Sequence, residues 1–114
     1  MTFNEYQKLA ISTDLWAGRR EGILSPIFLE KAFGLVGEAG EVAEKLKKLY
    51  RDHDSDLTPE LKADLVKEIG DILWYVSAVL YYLEVDFDDV ATANIEKILS
   101  RKERGKTKGS GDNR

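Results

Sequence analysis

The sequence predicts an all-α chain of four helices in one domain, assembled as a homo-oligomer, and three observations carry that prediction. Apolar residues recur at three- and four-residue intervals in four segments, and no stretch alternates polar and apolar residues as a strand would. The segments open on helix start signals: Thr2 with Glu5, Ser25-Pro26, Thr58-Pro59, and Asp86 with Asp89. The third segment is apolar on nearly every side beyond Asp71, through Ile72, Leu73, Trp74, Val76, Val79, Leu80 and Leu83. Four helices in one copy cannot easily cover that surface, so a second copy is expected.

In chain order, Thr2 and Glu5 have the form of a capping box, and Phe3, Tyr6, Ala10 and Thr13 then recur at helical spacing towards Trp16. Gly18 would close this first helix, and Arg19 to Leu24 would connect it to the next. Ser25 as N-cap and Pro26 at the first position open a long second helix to about Arg51. Its interior holds Gly34, Gly37 and Gly40, each costing on the order of 1 kcal/mol relative to alanine. Such a cost implies close approach, either of another helix or of a ligand lying beside Glu38 over Gly34 and Gly37. Asp52 to Asp56 is polar and aperiodic and predicts a loop, with His53 solvated. Thr58-Pro59 opens a third helix to about Glu84. The fourth runs from Phe87 to about Arg104 and stops at Gly105. Residues 1–105 form the domain, and 106–114 read as a flexible polar tail.

Composition excludes several classes of function. Among 114 residues, 21 acidic against 17 basic ones give a net charge of −4, unlike a binder of nucleic-acid polymers. There is no cysteine and a single histidine, so zinc–thiolate and multi-histidine sites are ruled out. No Gly-rich phosphate loop is present. The longest near-apolar run, Ile72 to Leu83, is far short of the ~20 residues that span a bilayer. The first residues lack the charged start and apolar run of a signal peptide, so a cytoplasmic location is the expectation.

The chemistry sits in two acidic pairs, Glu38-x-x-Glu41 and Glu68-x-x-Asp71. Residues three apart share a helix face. With residues placed at 100° intervals, the second helix has a core stripe of Ala32, Leu35, Ala39, Val42, Leu46 and Leu49. The third has Leu61, Leu65, Ile69, Ile72, Val76, Val79 and Leu83. Both acidic pairs flank their stripe on the same side, so antiparallel packing of the two helices turns four carboxylates towards one cleft. Two unit charges about 4 Å apart repel by roughly 4 kcal/mol at an effective dielectric of about 20. Such a cluster requires protonation or a cation. Oxygen ligands without Cys or His favour Mg²⁺, or Mn²⁺ as a substitute, and the Glu-x-x-His pairs of di-iron bundles are absent.

The competing account is a solvated acidic face: Lys45 follows Glu41 at i+4, and Lys47 and Lys48 follow Glu44. Around Glu68 and Asp71 no intrahelical cation is expected to compensate either carboxylate, with Lys67, next to Glu68 and four residues before Asp71, reaching only partway. On the fourth helix Asn94, Lys97 and Arg101 share one face, a set suited to phosphate oxygens or simply to water.

Three stretches carry a family resemblance: Gly34-Leu-Val-Gly-Glu-Ala-Gly-Glu-Val-Ala-Glu-Lys, then Lys67-Glu-Ile-Gly-Asp-Ile-Leu-Trp-Tyr, then Ala93-Asn-Ile-Glu-Lys-Ile-Leu-Ser-Arg. In this order they resemble the MazG-like, all-α nucleoside triphosphate pyrophosphohydrolases over roughly residues 4 to 105. The resemblance implies Mg²⁺-dependent hydrolysis of a (deoxy)nucleoside triphosphate to monophosphate and pyrophosphate, in dimers or tetramers with sites near subunit interfaces. It implies Glu38, Glu41, Glu68 and Asp71 as metal ligands, with Glu38 or Glu41 also as general base. Asn94, Lys97 and, less directly, Arg101 would contact phosphates. Some members read the base with His and aromatic residues near the first helix. Here that region offers Thr13, Asp14 and Trp16 without His, and Trp16 is the candidate to stack on a base or to fill the core. A dUTP/dUDP diphosphohydrolase and a non-catalytic nucleotide-binding helical module are the alternatives.

Overall fold

The structure is a computed structural model that describes residues 1–19 and 21–112. Among them are four helices and no strand: α1 (Phe3–Ile11), α2 (Pro26–Asp52), α3 (Pro59–Tyr82) and α4 (Phe87–Glu103). The expectations for Arg20 in the connection and for Asn113 and Arg114 in the tail lie outside the described residues.

Three of the four start signals act as read. Thr2 and Glu5 exchange both bonds of a capping box, Ser25 Oγ accepts from Phe28 N, and Thr58 Oγ1 accepts from Leu61 N. Asp86 is the N-cap of α4 by backbone, yet its side chain makes no capping bond. The first α4 amides are capped from α1 instead, Phe87 N by Gln7 Oε1 and Asp88 N by Asn4 Oδ1. Gly105 closes α4 at φ +65, with Lys106 N bonding back to Arg101 O.

The first helix is shorter than its periodicity predicts. It stops at Ile11, because the Ser12 and Thr13 hydroxyls bond the carbonyls of Leu9 and Ala10, and the chain turns to bury Asp14. Trp16 then lies in the turns that follow and is 44% exposed, which removes it from the core.

Helices α2 and α3 pair antiparallel along most of their length, α1 lies on α3, and the principal neighbour of α4 is α1. The closed core is small, at the α1–α3–α4 junction: Ala10, Ile11, Ala78, Tyr82 and Phe87. Gln7, itself buried, joins the three helices by donating to Ser77 O and Val85 O while accepting from Phe87 N. Phe3 stacks on Phe87 at 4.6 Å.

The expected core stripes of α2 and α3 are only half-covered, with Ala39, Leu46, Ile69 and Leu83 exposed. Nothing among the described residues lies over them. The accessible surface is 8228 Å², against about 6,300 Å² expected for a monomer of 12.9 kDa. The radius of gyration is 17.1 Å, where a compact domain of this length has roughly 13 Å. No helix among the described residues is long and apolar enough to cross a membrane.

Candidate metal centre

The α2–α3 contact brings Gly34 of α2 against Tyr75 of α3, Glu38 beside Asp71 and Glu68, and Lys45 against Glu68. At Gly34 the helices meet most closely: a Cβ there would stand 2.1 Å from Tyr75 Cε1. Of the two explanations for the glycines, helix approach therefore holds at Gly34, which clears room for a ring rather than for a ligand. Added Cβ atoms at Gly37, Gly40 and Gly70 would meet open space.

One turn beyond that contact, Glu38, Glu68 and Asp71 each present an oxygen, all within 4.8 Å of one another. Burial raises the Glu38 pKa, as do the charges of Asp71, Glu68 and Glu41 and a hydrogen bond shared with Glu68. Oxygens bound to Mg²⁺ at about 2.0–2.1 Å stand roughly 3–4 Å apart, so the three carboxylates suit Mg²⁺ or Mn²⁺ once their side chains close slightly, with water completing the shell. Glu41 is exposed and stands outside this trio, although its charge still reaches Glu38.

A lysine that sequence spacing assigns to Glu41 does something else. Lys45 crosses from α2 and pairs with Glu68, Nζ to Oε1, at 3.3 Å. Lys67 pairs with Asp64 at 2.9 Å instead of reaching Glu68. The positive charge beside the trio is thus interhelical, which intrahelical spacing cannot reveal.

On the other side of Gly34 lies a second polar cluster, with a different balance. Asp14 accepts from Lys31 Nζ at 3.0 Å, from Tyr82 Oη at 2.8 Å and from Trp16 N at 3.1 Å. Lys31 also pairs with Glu30 at 2.7 Å and lies 5.2 Å over the Trp74 ring, whose Nε1 donates to Ala10 O and Thr13 Oγ1. Burial alone would raise the Asp14 pKa; the bonds from Lys31 and Tyr82 outweigh it and hold that carboxyl below the usual range. Burial and the bond to Asp14 push the Tyr82 phenol up. Lys31 was not singled out by sequence, since one lysine in an amphipathic helix carries no signal of burial.

The remaining candidates are not gathered at the trio within one chain. Asn94 is exposed on α4. Lys97 Nζ meets Asp112 Oδ1 at 3.3 Å, and the buried Arg101 donates to Asp112 Oδ1 at 3.0 Å and to its carbonyl at 2.7 Å. The tail, as far as it is described, turns back along α4. Trp16 carries Arg19 at 5.4 Å over its ring. His53 is exposed and closes α2 through its backbone N–H to Leu49 O.

No solved structure matches the chain significantly. The chain is similar to the "Gene 37 protein" of Mycobacterium phage L5, 51% identical over 81 residues, which are 71% of either chain. Residues 30–105, which hold most of α2, all of α3 and α4 and all four acidic candidates, match the MazG nucleotide pyrophosphohydrolase domain. An ordered pair of acidic helices that brings three carboxylates together is thereby placed in a lineage, and the chain belongs to the MazG family.

Proposed function

We propose that this chain is a Mg²⁺-dependent nucleoside triphosphate pyrophosphohydrolase, converting a (d)NTP to (d)NMP and pyrophosphate in nucleotide-pool clean-up. The observation that carries the reading is the convergence of Glu38, Glu68 and Asp71 from two helices to within 4.8 Å. Acidic oxygens held that close without a cation work against the fold.

Glu38, Glu68 and Asp71 would hold the ion, with Glu41 able to join them by a change of side-chain rotamer. Bound there, Mg²⁺ supplies charge neutralisation at the reacting phosphorus and polarises a water. Glu41, one turn from Glu38 and outside the trio, would accept the proton of the attacking water, with Glu38 as the other candidate base. Lys97, Asn94 and Arg101 would bind phosphate oxygens, and Lys97 and Arg101 would exchange Asp112 for them. Trp16, an exposed ring, is available to stack on a base.

A homodimer or homotetramer fits the same reading. The surface in excess of a compact monomer exceeds the roughly 800 Å² that one partner commonly contributes to a stable interface. Assembly would cover the open stripes of α2 and α3. It would also give the α4 face of one copy a route to the carboxylates of another.

The test is a panel of ribo-, deoxy-, oxidised and methylated triphosphates, with dUTP and dUDP, incubated with Mg²⁺ and read by chromatography. Monophosphate and pyrophosphate from at least one triphosphate is the expected result. Turnover of dUDP as well would convert the reading to a diphosphohydrolase. Calorimetric binding with no turnover across the panel would leave a non-catalytic nucleotide-binding module.

A further inference from the structure

The Lys45 ammonium stands 3.3 Å from Glu68 Oε1, in a pair whose side chains are 35% and 19% exposed. Among the described residues, no other lysine or arginine forms an ion pair with Glu38, Glu68 or Asp71. Lys45 lies seven residues from Glu38, two turns along the same α2 face, so its stem runs beside the trio. The pair is therefore part of the centre: it sets a positive charge against one of three converging carboxylates.

The same contact places two cations in competition. A divalent ion held by Glu38, Glu68 and Asp71 needs an oxygen of Glu68, and an ammonium close to that carboxylate repels it. Lysine suits such a site because its charge rides on a flexible four-carbon stem with rotatable donors, so it can change partners without the helix moving. When a polyphosphate arrives with the metal, the new anion nearest the freed ammonium is a phosphate oxygen, which lysine binds as a point charge.

We propose that Lys45 is an exchangeable counter-ion of the metal centre, paired with Glu68 when the site lacks metal and transferred to a substrate phosphate when metal and nucleotide bind. The inference rests on the metal-dependent function proposed above. Its signature is a pair of effects of opposite sign from one substitution. Lys45→Met removes the competitor, so the substrate-free chain binds metal more tightly, and removes the phosphate contact, so it binds polyphosphate more weakly.

The experiment is calorimetric titration of the full chain, first with Mn²⁺ alone and then with inorganic tripolyphosphate at saturating Mn²⁺. For Lys45→Met the Mn²⁺ affinity rises roughly two- to fivefold, the scale of a partly exposed ion pair. Tripolyphosphate affinity falls roughly tenfold, the scale of a charge-assisted hydrogen bond. Lys45→Arg keeps the charge and restores tripolyphosphate binding. Lys47→Met, which removes an exposed lysine paired with Glu44, leaves both affinities unchanged. A purely structural Lys45 would weaken both affinities and lower the melting temperature, which overturns the proposal. Unchanged Mn²⁺ or tripolyphosphate affinity in Lys45→Met, beside a wild type that binds both, overturns it too while leaving the proposed function standing. A wild type that binds no Mn²⁺ at millimolar concentration removes the proposed function and this inference together.

Discussion

Two polar clusters share the α2–α3 interface, separated by the Gly34–Tyr75 contact, and they are opposites in charge. The upper one sets Asp14 against Lys31, with Tyr82 donating to the carboxylate and Trp74 under the ammonium, nearly all of it away from solvent. The lower one gathers Glu38, Glu68 and Asp71 and, among the described residues, sets only Lys45 against them, at a half-open surface. Burial with matched charge holds a fold together. Convergence with unmatched charge opposes folding and persists where a ligand supplies what is missing. Along a single helix pair, that difference in balance is what the proposed metal site rests on.

The largest expected effect comes from unbalancing the lower cluster in a different way. Glu68→Gln should lower turnover by about a thousandfold, since the loss of metal-supplied stabilisation is worth several kcal/mol. The helical circular dichroism should persist. Retained activity would remove Glu68 from the site.

Breaking the upper cluster should do the reverse. Asp14→Asn leaves Lys31 buried with only Glu30 beside it and should cost about 3 kcal/mol of stability, the lower end for a broken buried pair. Urea denaturation measures it. A loss of catalysis at unchanged stability would contradict the division of roles.

Gly34 joins the two clusters, so its substitution sharpens the comparison. Gly34→Ala forces a methyl into the Tyr75 ring and should destabilise by about 1–2 kcal/mol, overpacking outweighing the gain in helix propensity. Trimming the ring in Gly34→Ala/Tyr75→Leu should recover part of that loss, as a double-mutant cycle in melting temperature would report.

The smallest effects are the most discriminating, because the clusters respond to pH with opposite signs. The folded-state pKa of Asp14 lies below its ordinary value of 3.8, so its contribution is present above that value and lost as pH falls through the depressed one. That of Glu38 lies above the ordinary 4.5, so its contribution is present below 4.5 and lost as pH rises through the raised value. In chelator, Asp14→Asn should flatten the acid limb of the melting-temperature profile, and Glu38→Gln the limb above pH 4.5. Identical profiles for both variants would erase the distinction.

Much of this was legible in the sequence, for local reasons. Ser25-Pro26, Thr58-Pro59 and Gly105 act on their nearest backbone, so the ends they predict fall within a residue of the observed ones. The phase of the acidic pairs against their stripes pointed to four converging carboxylates, of which Glu38, Glu68 and Asp71 come together and Glu41 does not. What was hidden depends on partners distant in sequence. The end of α1 is set by Asp14 finding Lys31 and Tyr82, the α4 cap by Gln7 and Asn4, and the placement of Lys45 by Glu68 on another helix. The half-covered stripes of α2 and α3 show the same limit at a larger scale, since no described residue covers them.

The central claim is that the lower cluster is a divalent-cation site, and a titration of Mn²⁺ into the nucleotide-free chain, followed by calorimetry, tests it most directly. Saturable binding in the wild type that is lost in both Glu38→Gln and Asp71→Asn, with each variant still folded, is the predicted result. Absence of binding, or binding that survives both substitutions, would contradict it.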